Sequence, residues 1–517
     1  MSFLNLPSIQ CNNDIHKHIK IENLCIPYRS VFFPNVANAV AANAVEANAV
    51  AANAVEANAV AANAVEANAV AANAVAANAE SNAVTIGTDI LINKTLYKYL
   101  SFIKEQIDCR LEQWDKYKKC TNPYEYIHSL IPNTKQSIAT LKPISRSFFK
   151  MVEICQSMAL LELLPPVCST FHLAEGPGGF IEAMAYMRKN PADTYYGMTL
   201  IDDVNQNVPG WRKSKYFLIN NPNVIIEAGI EGNGDLTKPD NLRYCYDKYN
   251  GKMDLITGDG GFDFSFQYPQ QEQISTKLIT CQIGFAIAMQ KVGGTFILKV
   301  YDTFTRFSLD LLFLLANLYD QVSIIKPNTS RYANSEKYVV CKGFRGTTTL
   351  EIVKQFYKIL QQPEPIVGSL FDFELPYLFT NKIEEFNAII GQQQIDTIVS
   401  TIYLIDNNNK YDKIEHMKKK NIQKCITWCQ KYGIPYNNSI QSNNLFIRGV
   451  PPLAPHTPRR MVEMYEGGVP RRIAETYEGG VPRRMAETYE GGVPRRVAET
   501  YEGGVPRRMA DALGGCV

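Results

Sequence analysis

Apolar runs that alternate with amphipathic stretches fill the middle of the chain. Seven short runs rich in branched and aromatic residues predict β-strands, at Cys168–Ala174, Thr194–Leu200, Asn223–Ala228, Met253–Thr257, Thr295–Tyr301, Gln321–Lys326 and Lys337–Lys342. Between several of them, apolar residues recur at helical spacing, which predicts helices at Phe180–Arg188, Gln273–Gln290 and Ser308–Leu318. Because such alternation is typical of βαβ units, we predict an α/β fold around a mostly parallel, seven-stranded sheet.

Amphipathic helices are also predicted on both sides of this region. The apolar residues of Thr95–Cys120 predict one helix, and another begins near Ser145. Leu350–Gln361 and Lys382–Gln394 predict helices in a C-terminal extension. We expect that extension to pack against the central domain.

Two stretches of low complexity interrupt or follow these patterns. From Asn38 to Asn78, asparagine recurs every fifth residue, a period that spreads the intervening valines around every face of a helix. We therefore expect a disordered or weakly helical insert, with a pentapeptide-type solenoid as the alternative. From Tyr465 to Tyr501, tyrosine recurs every twelfth residue in units that contain Gly-Gly, Pro and Arg-Arg. These units predict a disordered tail, with an RNA- or partner-binding arm as the alternative.

The patterns divide the chain into six parts. These are an N-terminal segment (1–35), the asparagine repeat (36–84), a helical N-terminal extension (85–142), the α/β domain (143–345), a helical and mixed C-terminal extension (346–448) and the repeat tail (449–517).

Charge, hydropathy and cysteine usage narrow the class of protein. The 53 Lys and Arg residues nearly balance the 51 Asp and Glu residues, so any nucleic-acid surface must be local. The start lacks the features of a secretory signal, and the most apolar later stretch, Leu309–Leu318, is too short to span a bilayer. The 12 cysteines show no paired metal-ligand spacing, and Cys425 and Cys429 fit buried thiols better than a zinc site. We expect a cytoplasmic protein without a membrane partner.

A glycine-rich loop follows the first predicted strand. The residues Glu175-Gly176-Pro177-Gly178-Gly179 lead directly into a helix. Glycines allow a ligand to approach the backbone, and a helix N-terminus offers free N–H groups. The loop has neither GxGxxG nor GKS/T, which disfavours a dinucleotide or a P-loop nucleotide. A simple strand-to-helix turn is the alternative.

Polar residues also follow three other strands at the same expected edge of the sheet. They are Asp235 in GNGDLT, Asp259 in DLITGDGGFD, and Lys299 at the end of GTFILK. Ligands of open α/β sheets bind at this edge. A solvated surface position is the alternative for each residue alone.

The runs GGTFILKVYDTFTRFSLDLLFLL and KPNTSRYANSEKYVVCKGF, between Gly293 and Phe344, carry a family resemblance. Together with GMTL at Gly197–Leu200, GNGDLT and DLITGDGGFD, they resemble the FtsJ-like RNA 2′-O-methyltransferases over about residues 143–345. Within that family, the chain is similar to the branch that methylates the first transcribed nucleotide of capped mRNA. The resemblance implies a Rossmann-like fold, S-adenosylmethionine as cofactor and the capped 5′ end of mRNA as partner. It also implies association with other capping or transcription proteins.

The resemblance further implies a catalytic tetrad of Lys150, Asp259, Lys299 and Glu336. A ribose hydroxyl is a weak nucleophile, so its proton must be removed during attack on the methyl group. We expect Lys299 to accept that proton, with its pKa lowered by the charge of Lys150 and its position set by Asp259 and Glu336. A structural ion-pair network is the alternative, and the chemistry requires no metal.

The cofactor-binding residues implied by the resemblance lie in the loops after the strands. They are Glu175, Gly176, Pro177, Gly178, Gly179, Phe180, Thr199, Asp235 and Asp259. His172 stands where the first-nucleotide branch has aspartate. A packed or hydrogen-bonded histidine is therefore the favoured interpretation of His172.

Candidate contacts to RNA or to its cap are Arg146, Phe264, Phe266, Arg306 and Arg331. Aromatic faces would stack on a base, and the arginines would contact phosphates. The two phenylalanines fit a hydrophobic core equally well.

Two other functions fit the same sequence. One is an FtsJ-like enzyme that acts on ribosomal or transfer RNA, and the other is a non-catalytic RNA-binding subunit. The terminal repeats favour a compact viral relative, of the kind carried by large DNA viruses of the African swine fever type.

Overall fold

The structure is a computed structural model. It describes residues 2–10, 12–25, 90–202, 204–205, 208–261, 271–347, 349–362, 366–407 and 411–437. The predictions for the asparagine repeat, for the repeat tail and for Phe264 and Phe266 lie outside the described residues.

Ten strands form one large sheet and a small two-stranded ladder in this part of the chain. The strands are β1 (Ser2–Asn5), β2 (Leu24–Cys25), β3 (Ser169–Leu173), β4 (Thr194–Met198), β5 (Val224–Ile226), β6 (Met253–Gly258), β7 (Gln290–Val300), β8 (Tyr319–Lys326), β9 (Lys337–Phe344) and β10 (Val367–Gly368). The large sheet has the order β1-β8-β9-β7-β6-β3-β4-β5, and β2 pairs with β10. All seven predicted strands are present, so this part of the prediction is confirmed.

The predicted number of seven strands is wrong by one, because β1 adds an eighth at the edge of the sheet. Leu4 lies opposite Ile324 in an antiparallel pair with β8. A four-residue strand with alternating burial covers the otherwise open edge of β8. The short run SFLN carries too weak a pattern to predict a strand on its own.

Eleven α-helices accompany the strands in the described residues. They are α1 (Lys94–Glu105), α2 (Leu111–Thr121), α3 (Ser147–Ser157), α4 (Gly179–Arg188), α5 (Lys215–Asn220), α6 (Pro239–Tyr249), α7 (Gln271–Met289), α8 (Arg306–Leu318), α9 (Thr349–Leu360), α10 (Tyr377–Asp406) and α11 (Tyr411–Lys431). None of these helices is long and apolar enough to cross a membrane.

The helix predicted at Thr95–Cys120 is in fact two helices. A 3₁₀ turn at Asp108–Arg110 separates α1 from α2. With this break, Ile103 of α1 and Trp114 of α2 both pack into one buried cluster with Ile398 of α10. Tertiary packing against the long helix α10 therefore overrides a continuous helical pattern.

The direction of the strands places the functional residues. The strands β7, β6, β3, β4 and β5 run parallel, so their carboxyl ends meet at one edge of the sheet. Strand β9 runs antiparallel to β7 and pairs Lys299 with Tyr338. The residues just before β9 therefore lie at the same edge as the end of β7.

Candidate active site

The glycine-rich loop lies between β3 and α4, as predicted. Gly178 has a φ of 110°, a conformation that favours glycine, and α4 begins at the next residue. The Glu175 carboxylate accepts hydrogen bonds from the amides of Phe180 (2.6 Å) and Ile181 (3.3 Å). Glu175 therefore caps α4 and fixes the shape of the loop. Burial, and then the charge of Asp259, raise the pKa of this carboxyl well above its ordinary value.

Three loops after parallel strands touch one another at this edge. A Cβ added to Gly176 would lie 3.1 Å from Thr199 Oγ1. A Cβ added to Gly234 would lie 2.0 Å from the Thr199 carbonyl oxygen. Gly176, Thr199 and Gly234 thus form one close-packed cradle, and only glycines fit two of its three positions.

Asp235 follows Gly234 in this cradle and keeps one carboxylate oxygen available. Its Oδ1 accepts hydrogen bonds from the amide (2.9 Å) and hydroxyl (2.7 Å) of Thr237. Its Oδ2 accepts none from the residues that the structure describes. A half-buried acceptor next to a glycine cradle fits the recognition of a polar ligand.

Phe180 does not fit the predicted contact with a ligand. Its side chain is fully buried and lies near the ring of Tyr338, and its amide bonds to Glu175. The residue therefore anchors α4 to the sheet. Phe180 lies in the first turn of α4, and a helix that packs on a sheet directs such a residue into the core. For this reason its side chain is not available to a ligand.

The four predicted tetrad residues meet at the edge of the sheet as two ion pairs. Lys150 Nζ of α3 lies 2.7 Å from Glu336 Oε1, just before β9. Lys299 Nζ at the end of β7 lies 3.3 Å from Asp259 Oδ1 and donates to the Asp259 carbonyl oxygen at 2.7 Å. The four side chains are between 7% and 13% exposed, so their charges interact with little screening by water.

The pKa of Lys299 shifts in the direction opposite to the prediction. Burial lowers it, but the neighbouring charges of Asp259 and Glu336 outweigh burial and raise the pKa of Lys299 above its ordinary value. The pKa of Lys150 is the one that is lowered, by burial first and by Arg146 and Lys299 in addition. The expectation failed because Asp259 touches Lys299, whereas the charge of Lys150 is held by Glu336.

Glu336 is held in its charged form by this arrangement. Burial raises its pKa, but the charges of Lys150 and Lys299 outweigh burial, and the net pKa lies below the ordinary value. Two cations and two carboxylates therefore make a site that is neutral as a whole and strongly polar within.

Tyr338 is a member of this site that the sequence analysis missed. Its hydroxyl donates to Asp259 Oδ1 at 2.9 Å, and its ring lies beside Lys150. The residue is fully buried opposite Lys299 in the sheet. Its position two residues after Glu336, on the side of β9 that faces the tetrad, was the signal that could have revealed it.

His172 is a core residue, as the favoured interpretation held. It is fully buried in β3, and its two ring nitrogens hydrogen-bond the hydroxyls of Thr170 and Thr257, each at 2.8 Å. Burial lowers the pKa of His172 to about 3. This histidine is therefore neutral.

The three candidate RNA-binding arginines have different surroundings. Arg306 is buried and bonds to Asp310, Glu374 and the Phe373 carbonyl oxygen, so it stabilises the start of α8 and does not fit a phosphate contact.

Arg331 is bonded through Nε and Nη2 to Glu125, which occupies one edge of its guanidinium group. The Arg146 guanidinium group makes no hydrogen bond or ion pair with the residues that the structure describes, and burial followed by the charge of Arg331 lowers its pKa. Arg146 is therefore the arginine of the three that is most available to an anion.

A cavity of 380 Å³ lies at the start of α3. Its polar and cationic lining consists of Lys119, His128, Ser129, Lys142, Ser145, Arg146 and Arg331. Part of this lining comes from the N-terminal extension. Such a lining attracts anionic groups close to the tetrad.

Residues 143–344 match the family model of the FtsJ-like methyltransferases. The α/β fold and this match define residues 143–344 as an FtsJ-like methyltransferase domain.

A segment of 183 residues is 37% identical to the cap-specific mRNA (nucleoside-2′-O-)-methyltransferase 1 of Danio rerio, covering 34% of this chain and 21% of that protein. A segment of 175 residues is 37% identical to the protein of the same name from Homo sapiens, covering 33% of this chain and 21% of that protein. The chain thus spans about a fifth of the length of these relatives. Among solved structures, a ribosomal RNA methyltransferase from Plasmodium falciparum is similar over 39% of this chain and 97% of that chain, at 21% identity and a TM-score of 0.28.

Replacing Tyr338 with phenylalanine should slow methyl transfer while leaving the fold intact. The change removes one hydrogen bond to a charged group, worth about 1.5–3 kcal/mol, which corresponds to a loss of roughly 10- to 100-fold in rate. Single-turnover methyl transfer measures the effect. Tyr319→Phe is the matched control, because Tyr319 is a buried tyrosine of the same sheet whose hydroxyl bonds to Gln290. Equal rates for Tyr338→Phe and the wild-type protein would contradict the positioning of Asp259 by Tyr338.

Proposed function

We propose that the protein is an S-adenosylmethionine-dependent RNA ribose 2′-O-methyltransferase that acts on the first transcribed nucleotide of capped mRNA. The observation that carries this proposal is the pair of buried ion pairs, Lys150 with Glu336 and Lys299 with Asp259, beside a glycine cradle. The similarity to cap-specific mRNA (nucleoside-2′-O-)-methyltransferases supports the RNA 2′-hydroxyl as acceptor and the cap as the context.

The cradle fits the cofactor. Gly176 and Gly234 allow the loops after three parallel strands to pack closely around Thr199, and Asp235 offers an acceptor for an amino group at this cradle. Glu175 would act indirectly, by holding the loop in shape. S-adenosylmethionine, when bound, supplies an electrophilic methyl group on a positively charged sulfur.

The chain's own residues then handle the proton of the ribose hydroxyl. Lys299 is our candidate to accept it, and Asp259 keeps its amino group at the end of β7. Lys299 would accept the proton as its neutral amine, a form that a positive charge bound nearby would favour against the effect of Asp259 and Glu336. Lys150 and Glu336 form the second ion pair of the site and keep its charges balanced.

The RNA would approach over the cavity at the start of α3. Among the described residues, no carboxylate forms an ion pair with Arg146, and Lys119 and Lys142 line the same space. These cations would bind phosphates without reading the sequence.

The cytoplasmic location and the viral source stay predictions.

The requirement for a cap is tested by radiolabelled methyl transfer to matched capped and uncapped RNAs, followed by nucleotide mapping. We expect label on the 2′-oxygen of the first transcribed nucleotide, and on capped RNA only. Equal labelling of uncapped RNA would refute the cap requirement and favour a ribosomal or transfer RNA substrate. If neither the capped nor the uncapped RNA were labelled, the result would favour the non-catalytic alternative.

Asp235→Asn should weaken binding of S-adenosylmethionine by roughly tenfold or more, because an NH₂ donor replaces the available acceptor. Asn keeps the oxygen that bonds to Thr237, so the loop should retain its shape. Calorimetry measures the affinity. Thr237→Val is the control, since it removes a local hydrogen bond and leaves the carboxylate in place. Unchanged affinity in a folded Asp235→Asn protein would remove Asp235 from the binding site.

Lys299→Ala should reduce the rate of the chemical step by about two to four orders of magnitude, the usual range for general-base catalysis. Lys299→Arg should be nearly as slow, because a guanidinium group keeps its proton. Single-turnover methyl transfer at saturating RNA measures both variants, with cofactor affinity as the test of folding. A near-normal rate for Lys299→Arg would show that a fixed positive charge suffices. Proton acceptance by Lys299 would then be abandoned.

A further inference from the structure

The loop that carries Glu336 is held in place by buried polar groups along its whole length. This segment, Pro327–Glu336, connects β8 to β9 and is called here the Glu336 loop. A loop of ten residues does not fix a carboxylate by itself. The position of Glu336 against Lys150 therefore depends on what holds the loop.

Two contacts within the methyltransferase domain fix the ends of the Glu336 loop. Glu153 of α3 accepts hydrogen bonds from the amides of Asn328 (2.9 Å) and Thr329 (3.0 Å). At the other end, Lys326 donates to the carbonyl oxygen of Glu336 at 2.6 Å. Both Glu153 and Lys326 are buried.

The middle of the Glu336 loop is held by a residue outside the segment that matches the family model. Arg331 donates from Nε to Glu125 Oε2 (2.9 Å) and from Nη2 to Glu125 Oε1 (2.7 Å). Glu125 belongs to the N-terminal extension, and its carboxylate is fully buried. Asn122 and Ser129 of the same extension donate to the two Glu125 oxygens at 2.7 and 2.9 Å.

The charge state of Glu125 agrees with this geometry. Burial raises its pKa, but the hydrogen bonds and the charge of Arg331 outweigh burial and keep the net pKa below the ordinary value. A buried carboxylate with a two-bonded guanidinium partner has one favourable arrangement. The N-terminal extension therefore fixes the Glu336 loop at Arg331, through Glu125.

We propose that Glu125 is a positioning residue for Glu336, acting through Arg331, so that the N-terminal extension is part of the active site. The proposal rests on the proposed function, since it requires Glu336 to act in catalysis. It adds that the segment matching the family model is incomplete as an enzyme without residues 122–129.

The test is a double-mutant cycle between Glu125→Gln and Glu336→Gln, measured as single-turnover methyl transfer with the full-length protein. Glu125→Gln keeps the shape of the side chain but weakens its pairing with Arg331. We expect a loss of about 10- to 100-fold in rate, the scale of a small misplacement of a catalytic group, with cofactor affinity unchanged. In the Glu336→Gln background the same change should cost less than about twofold, because its effect passes through Glu336.

Arg331→Lys gives a second measure, since it keeps the positive charge and loses the two-bonded contact. It should reproduce the loss seen for Glu125→Gln.

Asp406→Asn is the matched control. The Arg110–Asp406 pair joins the extension to α10 by two hydrogen bonds, of 2.8 and 2.9 Å, and neither of these bonds involves the Glu336 loop. Its loss should leave the rate unchanged.

The outcomes separate the two hypotheses. An equal loss for Glu125→Gln in both backgrounds, or a similar loss for Asp406→Asn, would indicate a general structural role and overturn the positioning proposal. A normal rate for folded Glu125→Gln and Arg331→Lys, with Glu336→Gln impaired, would overturn it as well. A normal rate for Glu336→Gln and Lys299→Ala together would instead refute the proposed function.

Discussion

Four charged side chains are buried at one edge of the sheet, and each needs a partner of opposite sign. Removing one member of a buried pair leaves an uncompensated charge and typically costs about 3–5 kcal/mol. The pairs Lys150–Glu336 and Lys299–Asp259 satisfy this constraint. The two ion pairs also constrain the surrounding elements. The segment before β9 must lie next to α3, and the end of β7 must lie next to the end of β6. The Glu175 cap of α4, the glycine cradle and the buried Tyr338 hold these segments in position.

The antiparallel strand β9 is the topological feature that makes this possible. A sheet with only parallel strands brings the end of each strand to the functional edge. Because β9 runs the other way beside β7, the edge also receives the start of a strand. Glu336 therefore comes from a segment that precedes a strand, whereas Lys299 and Asp259 come from segments at or after strand ends.

Much of this architecture could be predicted from the sequence, because it depends on local patterns. Apolar runs located the seven strands, and strand-end polar residues located the site edge, as with Asp259 and Lys299. The resemblance supplied Lys150 and Glu336, which the structure brings together. What could not be predicted depends on contacts between distant segments. The break between α1 and α2, the fit of β1 beside β8 and the pairing of Glu125 with Arg331 have no local signal. The pKa of Lys299 is raised and not lowered because the Asp259 carboxylate lies against it, and the sequence alone does not show that contact.

The placement of β1 has a consequence for the order in which the chain can fold. Leu4 pairs with Ile324, so β1 leaves the ribosome about 320 residues before its partner strand β8. During synthesis β1 must wait until β8 has emerged, while the parallel strands between them can already assemble. Contacts of such long sequence separation form slowly. The outer strand is therefore expected to dock last, closing a sheet whose functional edge is already built.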